Sequence, residues 1–303
     1  MLDDTTTPSK TALMVALFLI ILGSDDYGSS KCPPGAVAAQ ITVLNGVVPF
    51  PMLIRLIHNP LFGKLARWVL HTFVHEQFLE GIGIRKTYME HGVRTFLSKR
   101  KNTNRAQVLV LASGYDTLAT RLCQDYKEDT DSASTVTFWE VDHPATYAAT
   151  SSSSKRKQNQ SGHCVQSIMA DLTTTKLKTA LSLPSSLEKN DPYYDPTIPT
   201  VVIIEGLTMY LTGTQLLDLL SDVSTVIGKG SRICFDHFGW KNGIFDNGWL
   251  TQCQMRFAKL LGEEWHWGID PKDLQEFLKD SQYKIIDQST KVGMEFMVTL
   301  ELL

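Results

Sequence analysis

The chain has 303 residues, 43% hydrophobic and 20% charged, with a formal net charge of -3. That is apolar material enough for one large core, and a charge so near neutral excludes a global basic field; nucleic acid or an anionic membrane would need a local patch. Five widely spaced cysteines, with no Cys-x-x-Cys pair and an odd total, fit neither a zinc knuckle nor a disulfide framework and favour a reducing, cytoplasmic compartment.

In chain order, Thr11–Gly23 (TALMVALFLIILG) is too short to span a bilayer as a helix, so no stable membrane span is expected. Asp3 and Asp4 stand upstream of it and no cleavage site follows, which argues against a secretory signal. It reads as a buried helix opened by Pro8, with Thr7 as its cap. After a Pro/Gly-rich link, Asp25–Gly35, apolar residues recur at helical spacing in Phe62–Gly81 and Arg85–Arg100, so residues from about 8 to 100 read as helices. His71 and His75 lie one helical turn apart without a third ligand, and no metal site is expected. The basic runs Ser98–Arg105 and Ser154–Gln160 lack interleaved aromatics and read as solvated loops, with no nucleic-acid partner.

From about residue 106 the pattern changes to short β-rich runs alternating with helical ones: Gln107–Ala112, Thr135–Asp142, Cys164–Asp171, Thr200–Gly206, Ser231–Phe238, Tyr283–Thr290 and Met294–Leu302. Strands alternating with helices predict βαβ units and a parallel sheet, and the last two runs are close enough to pair as an antiparallel hairpin. The expected architecture is α/β, a Rossmann-like seven-stranded and mostly parallel sheet ending in that hairpin. A single domain over 1–303 is expected, with a helical N-terminal lid at about 8–100 over an α/β core at about 106–303.

Ligands of open parallel sheets bind at the carboxyl ends of the strands. The stretch AQVLVLASGYDTLATRL places Ala112, Ser113, Gly114, Tyr115 and Asp116 there, in the first strand-to-helix turn. A dinucleotide fingerprint needs two or three spaced glycines for a pyrophosphate, whereas this turn has one glycine and an acid, which disfavours a nicotinamide oxidoreductase. Nor does Ser113 sit in a Gly-x-Ser-x-Gly frame. Acids close the next strands too: Glu140 and Asp142 on one face of the second, Asp171 followed by Leu172 after the third, Glu205 after the fourth. A carboxylate at the second strand end accepts hydrogen bonds from ribose hydroxyls. A ligand with a ribose, an ammonium and a sulfonium but no phosphate suits such a site, and S-adenosylmethionine is one.

With SKTALMVALFL near the N-terminus, RKTYMEHGV, VLVLASGYDTLATRL, WEVDHPATYAAT, ADL and EGLTMYLTGTQLLDLL in that order, the chain resembles the leucine carboxyl methyltransferase-like family of S-adenosylmethionine-dependent methyltransferases. The likeness is closest to its small-molecule O-methyltransferase branch and covers most of the chain. The resemblance implies that Arg85 holds the methionine carboxylate, Gly114 lies beneath the methionine part, Asp142 binds the ribose, and Asp171 and Leu172 bind the adenine. It places Glu205 near the methionine or acceptor end and gives Lys10, in an N-terminal helix folded over the site, a cofactor contact. The family's first turn is usually glycine, small residue, glycine; here Ala112 and Ser113 precede Gly114, and a methyl at the end of a buried strand is expected to narrow the approach to the cofactor.

The expected acceptor is a carboxylate or hydroxyl oxygen of a small molecule or a protein C-terminus. A carboxylate needs no strong base; a hydroxyl does, and His143, His237 and Tyr210 are the candidates, with Glu205 beside them. Two alternatives accompany this reading: a cofactor binder without transfer, motivated by Ala112, and the disfavoured oxidoreductase. Gly262–Asp270 (GEEWHWGID) is aromatic-rich and either lines an acceptor pocket or packs beneath a loop.

Overall fold

The computed structural model describes residues 8–49, 51–73, 76–100, 105–128, 135–151, 165–182, 193–241, 244–245, 255–256, 258–260, 262–292 and 295–303. Six helices come first: α1 (Lys10–Leu22), α2 (Asp26–Ser29), α3 (Ala36–Val47), α4 (Pro51–His58), α5 (Pro60–Phe73) and α6 (Glu76–Ser98). The cap of α1 is Ser9, whose hydroxyl accepts from the Ala12 amide at 3.0 Å; this corrects the assignment to Thr7, which lies outside the described residues. The two stretches of helical spacing after residue 62 are divided differently than expected. Helix α6 runs unbroken through Gly81 and Gly83, since one face of it is buried along its length.

Apart from a two-residue pairing of Trp240–Lys241 with Ile244–Phe245, seven strands follow among the described residues: β1 (Arg105–Leu111), β2 (Thr135–Asp142), β3 (Val165–Met169), β4 (Thr200–Ile204), β5 (Arg232–Phe238), β6 (Tyr283–Gln288) and β7 (Glu295–Leu302). They form one sheet in the order β3-β2-β1-β4-β5-β7-β6, with β7 antiparallel to both its neighbours and the rest parallel. The mostly parallel sheet with its terminal hairpin is the expected one. Alternation along the strands sends side chains to two cores. Val108, Val110, Phe138, Val201 and Ile203 pack with Met89, Val93 and Phe96 of α6 and with helix α7 (Leu118–Glu128). Leu109, Leu111, Trp139, Val202 and Phe235 face the opposite way, onto helices Leu177–Ser182 and Gly213–Ser224. Helix α6 is thus part of the sheet's own packing, while α1, α3 and α4 form a separate cluster around Ile20, Leu44 and Ile54, joined to the sheet edge by Tyr115.

Of the cysteines, Cys32 and Cys234 are free and buried, and Cys123 on α7 is disulfide-bonded. This corrects the reading of the cysteines from spacing, which sees neighbours along the chain and not those that folding creates. The loop expected at Ser154–Gln160 falls outside the described residues, as does His75 of the disfavoured histidine pair. Among the described residues, no group of three or more His, Cys, Asp or Glu is arranged to hold a metal ion, and no helix is long and apolar enough to cross a membrane.

Candidate active site

Strand order reverses between β1 and β4, which lie side by side, and at such a switch point the loops leaving the carboxyl ends diverge and leave a crevice. A cavity of about 490 Å³ occupies it, within the range of small-molecule sites. Its floor is the turn Ala112–Asp116 after β1, with Asp142 and His143 after β2 and Glu205–Leu207 after β4; α1 covers it from Lys10 to Ala16, and Arg85 and Lys86 reach it from α6.

Two left-handed turns shape the floor. Gly206 has φ +67 and donates its amide to Asp236 Oδ1 at 2.6 Å; Gly114 has φ +56, and a Cβ on it would lie 3.2 Å from the Ala12 methyl of α1. The surprise is Ala112. It does not end the strand but turns at φ +52, the sole non-glycine with positive φ among the described residues. Its methyl therefore adopts a conformation that glycine takes freely and that costs an L residue about 1–2 kcal/mol. The β1 end keeps a glycine-like path without the glycine, with the Ala112 amide anchored on Val141 O at 2.8 Å.

Asp142 is buried and ties the two strand ends together. Its Oδ2 accepts from the Gly114 amide at 2.6 Å and from Ser113 Oγ at 3.4 Å, and its Oδ1 from the His143 amide at 2.7 Å. Glu140 is buried two residues earlier on the same side of the sheet and does not line the cavity.

Beneath the cavity lies a buried ionic network. Arg85 Nε meets Glu205 Oε1 at 3.1 Å, and its Nη1 meets Glu295 Oε1 at 2.7 Å and Asp236 Oδ2 at 3.6 Å. Its Nη2 takes no partner among the described residues. Lys86 Nζ bridges Asp116 Oδ1 at 3.1 Å and Glu205 Oε1 at 3.0 Å. Four carboxylates thus face two cations. Burial together with the neighbouring acids Asp236 and Glu205 pushes Glu295 up to about 7 despite the opposing pull of Arg85, and burial likewise raises Asp236. Burial opposes ionisation of Asp116 too, but Lys86 and Arg121 outweigh it and hold that carboxyl low. Glu205 Oε2 and Asp116 Oδ2 are buried with no hydrogen-bond partner among the described residues, so the cavity wall keeps acceptors in reserve.

Opposite this network, Glu263 caps α1: its Oε1 accepts from Ser9 Oγ at 3.1 Å, the Lys10 amide at 2.9 Å and the Thr11 amide at 3.2 Å. A carboxylate at a helix N-terminus meets both free amides and the positive end of the dipole. The segment around it divides its work. Gly262, Glu263, Glu264 and His266 line the cavity, while Trp265 packs on Phe238 at 4.6 Å between ring centres and Trp267 on Phe277 at 5.3 Å.

Of the sequence-derived residues, the structure brings Lys10, Arg85, Ala112, Gly114, Asp116, Asp142, His143, Glu205 and Tyr210 together on one cavity. Tyr210 is pushed up to about 12, chiefly by burial and then by Glu263, so its phenol stays protonated. His237 stands outside the cavity, stacked on Phe296 at 5.5 Å and pushed down to about 4 by burial, with Nε2 lacking a hydrogen-bond partner among the described residues. Asp171 and Leu172 are likewise absent from the lining: Asp171 Oδ1 accepts from the Thr173 amide and hydroxyl, and Leu172 packs on the core. Sequence reasoning missed Lys86, Asp236, Glu263 and Glu295. Two of them carried a signal, since Asp236 and Glu295 are acids inside apolar β runs, where an unpaired charge is too costly to bury.

The sequence model of the leucine carboxyl methyltransferase family matches residues 62–224. No curated protein matches the sequence. Among solved structures, the chain is similar to a candidate methyltransferase from Thermobifida fusca YX, with 12% identity and TM-score 0.50 over 99% of this chain and 96% of that one. It is also similar to magnesium protoporphyrin IX methyltransferase from Synechocystis PCC 6803 with bound SAH, at 12% identity and TM-score 0.45 over 83% and 99% of the two chains. Identities so low speak to the fold alone.

Proposed function

Since the chain belongs to the leucine carboxyl methyltransferase family, with S-adenosylmethionine as cofactor, we propose that it transfers the cofactor's methyl group to a carboxylate or hydroxyl oxygen of a small molecule or a protein C-terminus. The observation that carries this reading is the surplus of buried carboxylates around Arg85 and Lys86 at the switch-point cavity. The cavity lining itself sets Asp116, Asp142, Glu205, Glu263 and Glu264 against Lys10, Arg85 and Lys86, an excess that disfavours a phosphate-bearing cofactor and attracts a ligand with a sulfonium and an ammonium.

The residues present fit such a ligand. Glu205 Oε2 is a buried acceptor without a partner among the described residues, suited to an ammonium, and Arg85 retains Nη2 for a carboxylate although Glu205, Asp236 and Glu295 occupy its other nitrogens. Asp142 is the ribose acceptor in this reading, since a carboxylate oxygen that takes one amide keeps a second lone pair. The assignment of Asp171 and Leu172 to the adenine rests on the family resemblance.

The cofactor supplies an activated methyl group with a good leaving group. What remains for the chain is to align the acceptor and keep water out, and α1, capped by Glu263 and seated over Gly114, serves as the lid. A carboxylate acceptor needs no base. For a hydroxyl acceptor, Tyr210 is a proton donor rather than a base, and His143 is the histidine among the proposed candidates that faces the cavity.

Calorimetric titration of the protein with S-adenosylmethionine and with NAD tests the cofactor; binding of NAD alone refutes the reading. Incubation with methyl-labelled cofactor and a metabolite extract then tests transfer. Tight binding with no label passed to any acceptor, under conditions where a known methyltransferase labels its own, leaves a cofactor binder instead.

A further inference from the structure

The outer face of α4 and α5 is unexplained by the cavity chemistry. Met52, Leu56, Leu61, Phe62, Leu65 and Trp68 are all exposed, Met52 at 84%, Leu61 at 79% and Trp68 at 68%, while Ile54 on the inner side of α4 is fully buried. Leu61, Leu65 and Trp68 follow helical spacing and make one stripe along α5. A protein surface seldom leaves so many large apolar side chains together without a use for them.

The charges that α4 and α5 themselves carry all have one sign. Residues 51–73 contain Arg55, Lys64 and Arg67 and no Asp or Glu, in a chain whose net charge is -3. Arg67 is turned toward Asp25 at 2.7 Å, whereas Arg55 and Lys64 are exposed. At the rim, the half-exposed Tyr27 ring carries Lys31 at 5.1 Å and Arg67 at 5.8 Å from its centre.

We propose that the α4–α5 face docks on an anionic lipid bilayer, its apolar stripe sunk to the level of the head groups and Arg55 and Lys64 against their negative charge. An amphipathic helix with Trp, Phe and Leu on one side and only basic charges beside them is built to lie in that interface. Docking is peripheral, since no helix among the described residues can cross a membrane. Charge disfavours the alternative of a second copy: a two-fold contact sets Arg55 and Lys64 against their own counterparts, and the segment has no acid to offset them.

The test is flotation of the full chain with vesicles of phosphatidylcholine alone and of phosphatidylcholine with phosphatidylserine, read together with its sedimentation in solution. Binding to the mixed vesicles and much weaker binding to the neutral ones is expected. Each cation near such a surface is worth about fivefold, so Arg55→Glu with Lys64→Glu should lower the partition coefficient at least about thirtyfold. Leu61→Ser with Leu65→Ser and Trp68→Ser should abolish flotation while leaving S-adenosylmethionine titration and circular dichroism as in the parent. If the serine variant fails to fold, the charge variant decides alone. The proposal is overturned by equal partition into both vesicle types, by no flotation at all, or by self-association that the serine variant abolishes. It is overturned as well by binding to soluble polyglutamate that survives the serine variant, which assigns the face to an acidic protein.

Discussion

Replacing Ala112 by glycine should stabilise this protein, the reverse of what glycine at a strand end does. The left-handed conformation at φ +52 costs alanine about 1–2 kcal/mol, which glycine does not pay. Against this stands the larger entropy of glycine in the unfolded chain, about 0.5–1 kcal/mol. The Ala112 methyl is only partly buried and borders the cavity, so little packing is lost, and the balance is a net gain of about 0.5–1 kcal/mol. For a chain of this length that is a rise in melting temperature of about 1–2 °C, which calorimetry resolves, and a higher urea midpoint at unchanged slope should accompany it. Ala112→Val is the internal control: its β-branched side chain tolerates the left-handed region worse than alanine, so it should melt lower than the parent. Cofactor affinity, titrated where all three proteins are folded, should be unchanged or tighter in the glycine variant. A glycine variant that melts below the parent shows that position 112 behaves as an ordinary strand end and refutes the argument.

Asp142→Ala removes the acceptor of the Gly114 and His143 amides, so it should cost stability of about 2–3 kcal/mol as well as cofactor affinity; a loss of affinity with an unchanged melting curve shows that the two amides find other acceptors. Lys86→Met removes the cation that Asp116 and Glu205 share, leaving Glu205 to Arg85 alone and Asp116 without its direct ion pair, and should destabilise by about 3–5 kcal/mol, with Lys86→Arg recovering most of it in a urea titration. The buried acid Glu295, raised to about 7 from 4.5, binds its proton more tightly folded than unfolded; its contribution is complete below about pH 4.5 and is lost as pH rises through 7. His237, lowered to about 4 from 6.5, acts the other way, and stability is lost as pH falls from 6.5 through 4. Glu295→Gln and His237→Gln should therefore tilt the stability curve between pH 5 and 7 in opposite directions, and parallel curves would contradict both assignments. Glu263→Ala leaves the Ser9 cap in place but removes the acceptor of the Lys10 and Thr11 amides, worth about 1 kcal/mol, and hydrogen exchange should accelerate at those two amides before it does in the sheet.

Periodicity in the sequence carried the sheet well, because alternation of apolar residues is a local property of each strand, and β2 begins and ends where its pattern does. The floor of the cavity was legible for the same reason, since a turn that follows a strand must lie at its carboxyl end. What was not legible depends on distance along the chain. Lys86 follows Arg85, yet nothing local says that it bridges Asp116 and Glu205. Glu263 reads as a loop acid until residues 9–11 are brought against it, and Cys123 as a thiol until folding supplies its partner. The sign of φ at Ala112 was hidden for another reason, since alanine gives no warning of a left-handed turn in the way glycine does.

The capping of α1 by Glu263 joins two parts of the chain that are synthesised far apart in time. Residues 9–11 leave the ribosome early, and the carboxylate that receives them comes some 250 residues later. Arg85 waits some 210 residues for Glu295, the first residue of the last strand. Contacts of such long sequence separation bear the full loop-closure entropy and form late. Until then α1 is an apolar helix without its wall and Arg85 a cation short of a counter-ion, so the nascent protein presents greasy surface long before it presents a cavity. The cavity is thus closed by contacts that span most of the sequence, whereas the sheet beneath it starts from strands much nearer one another along the chain.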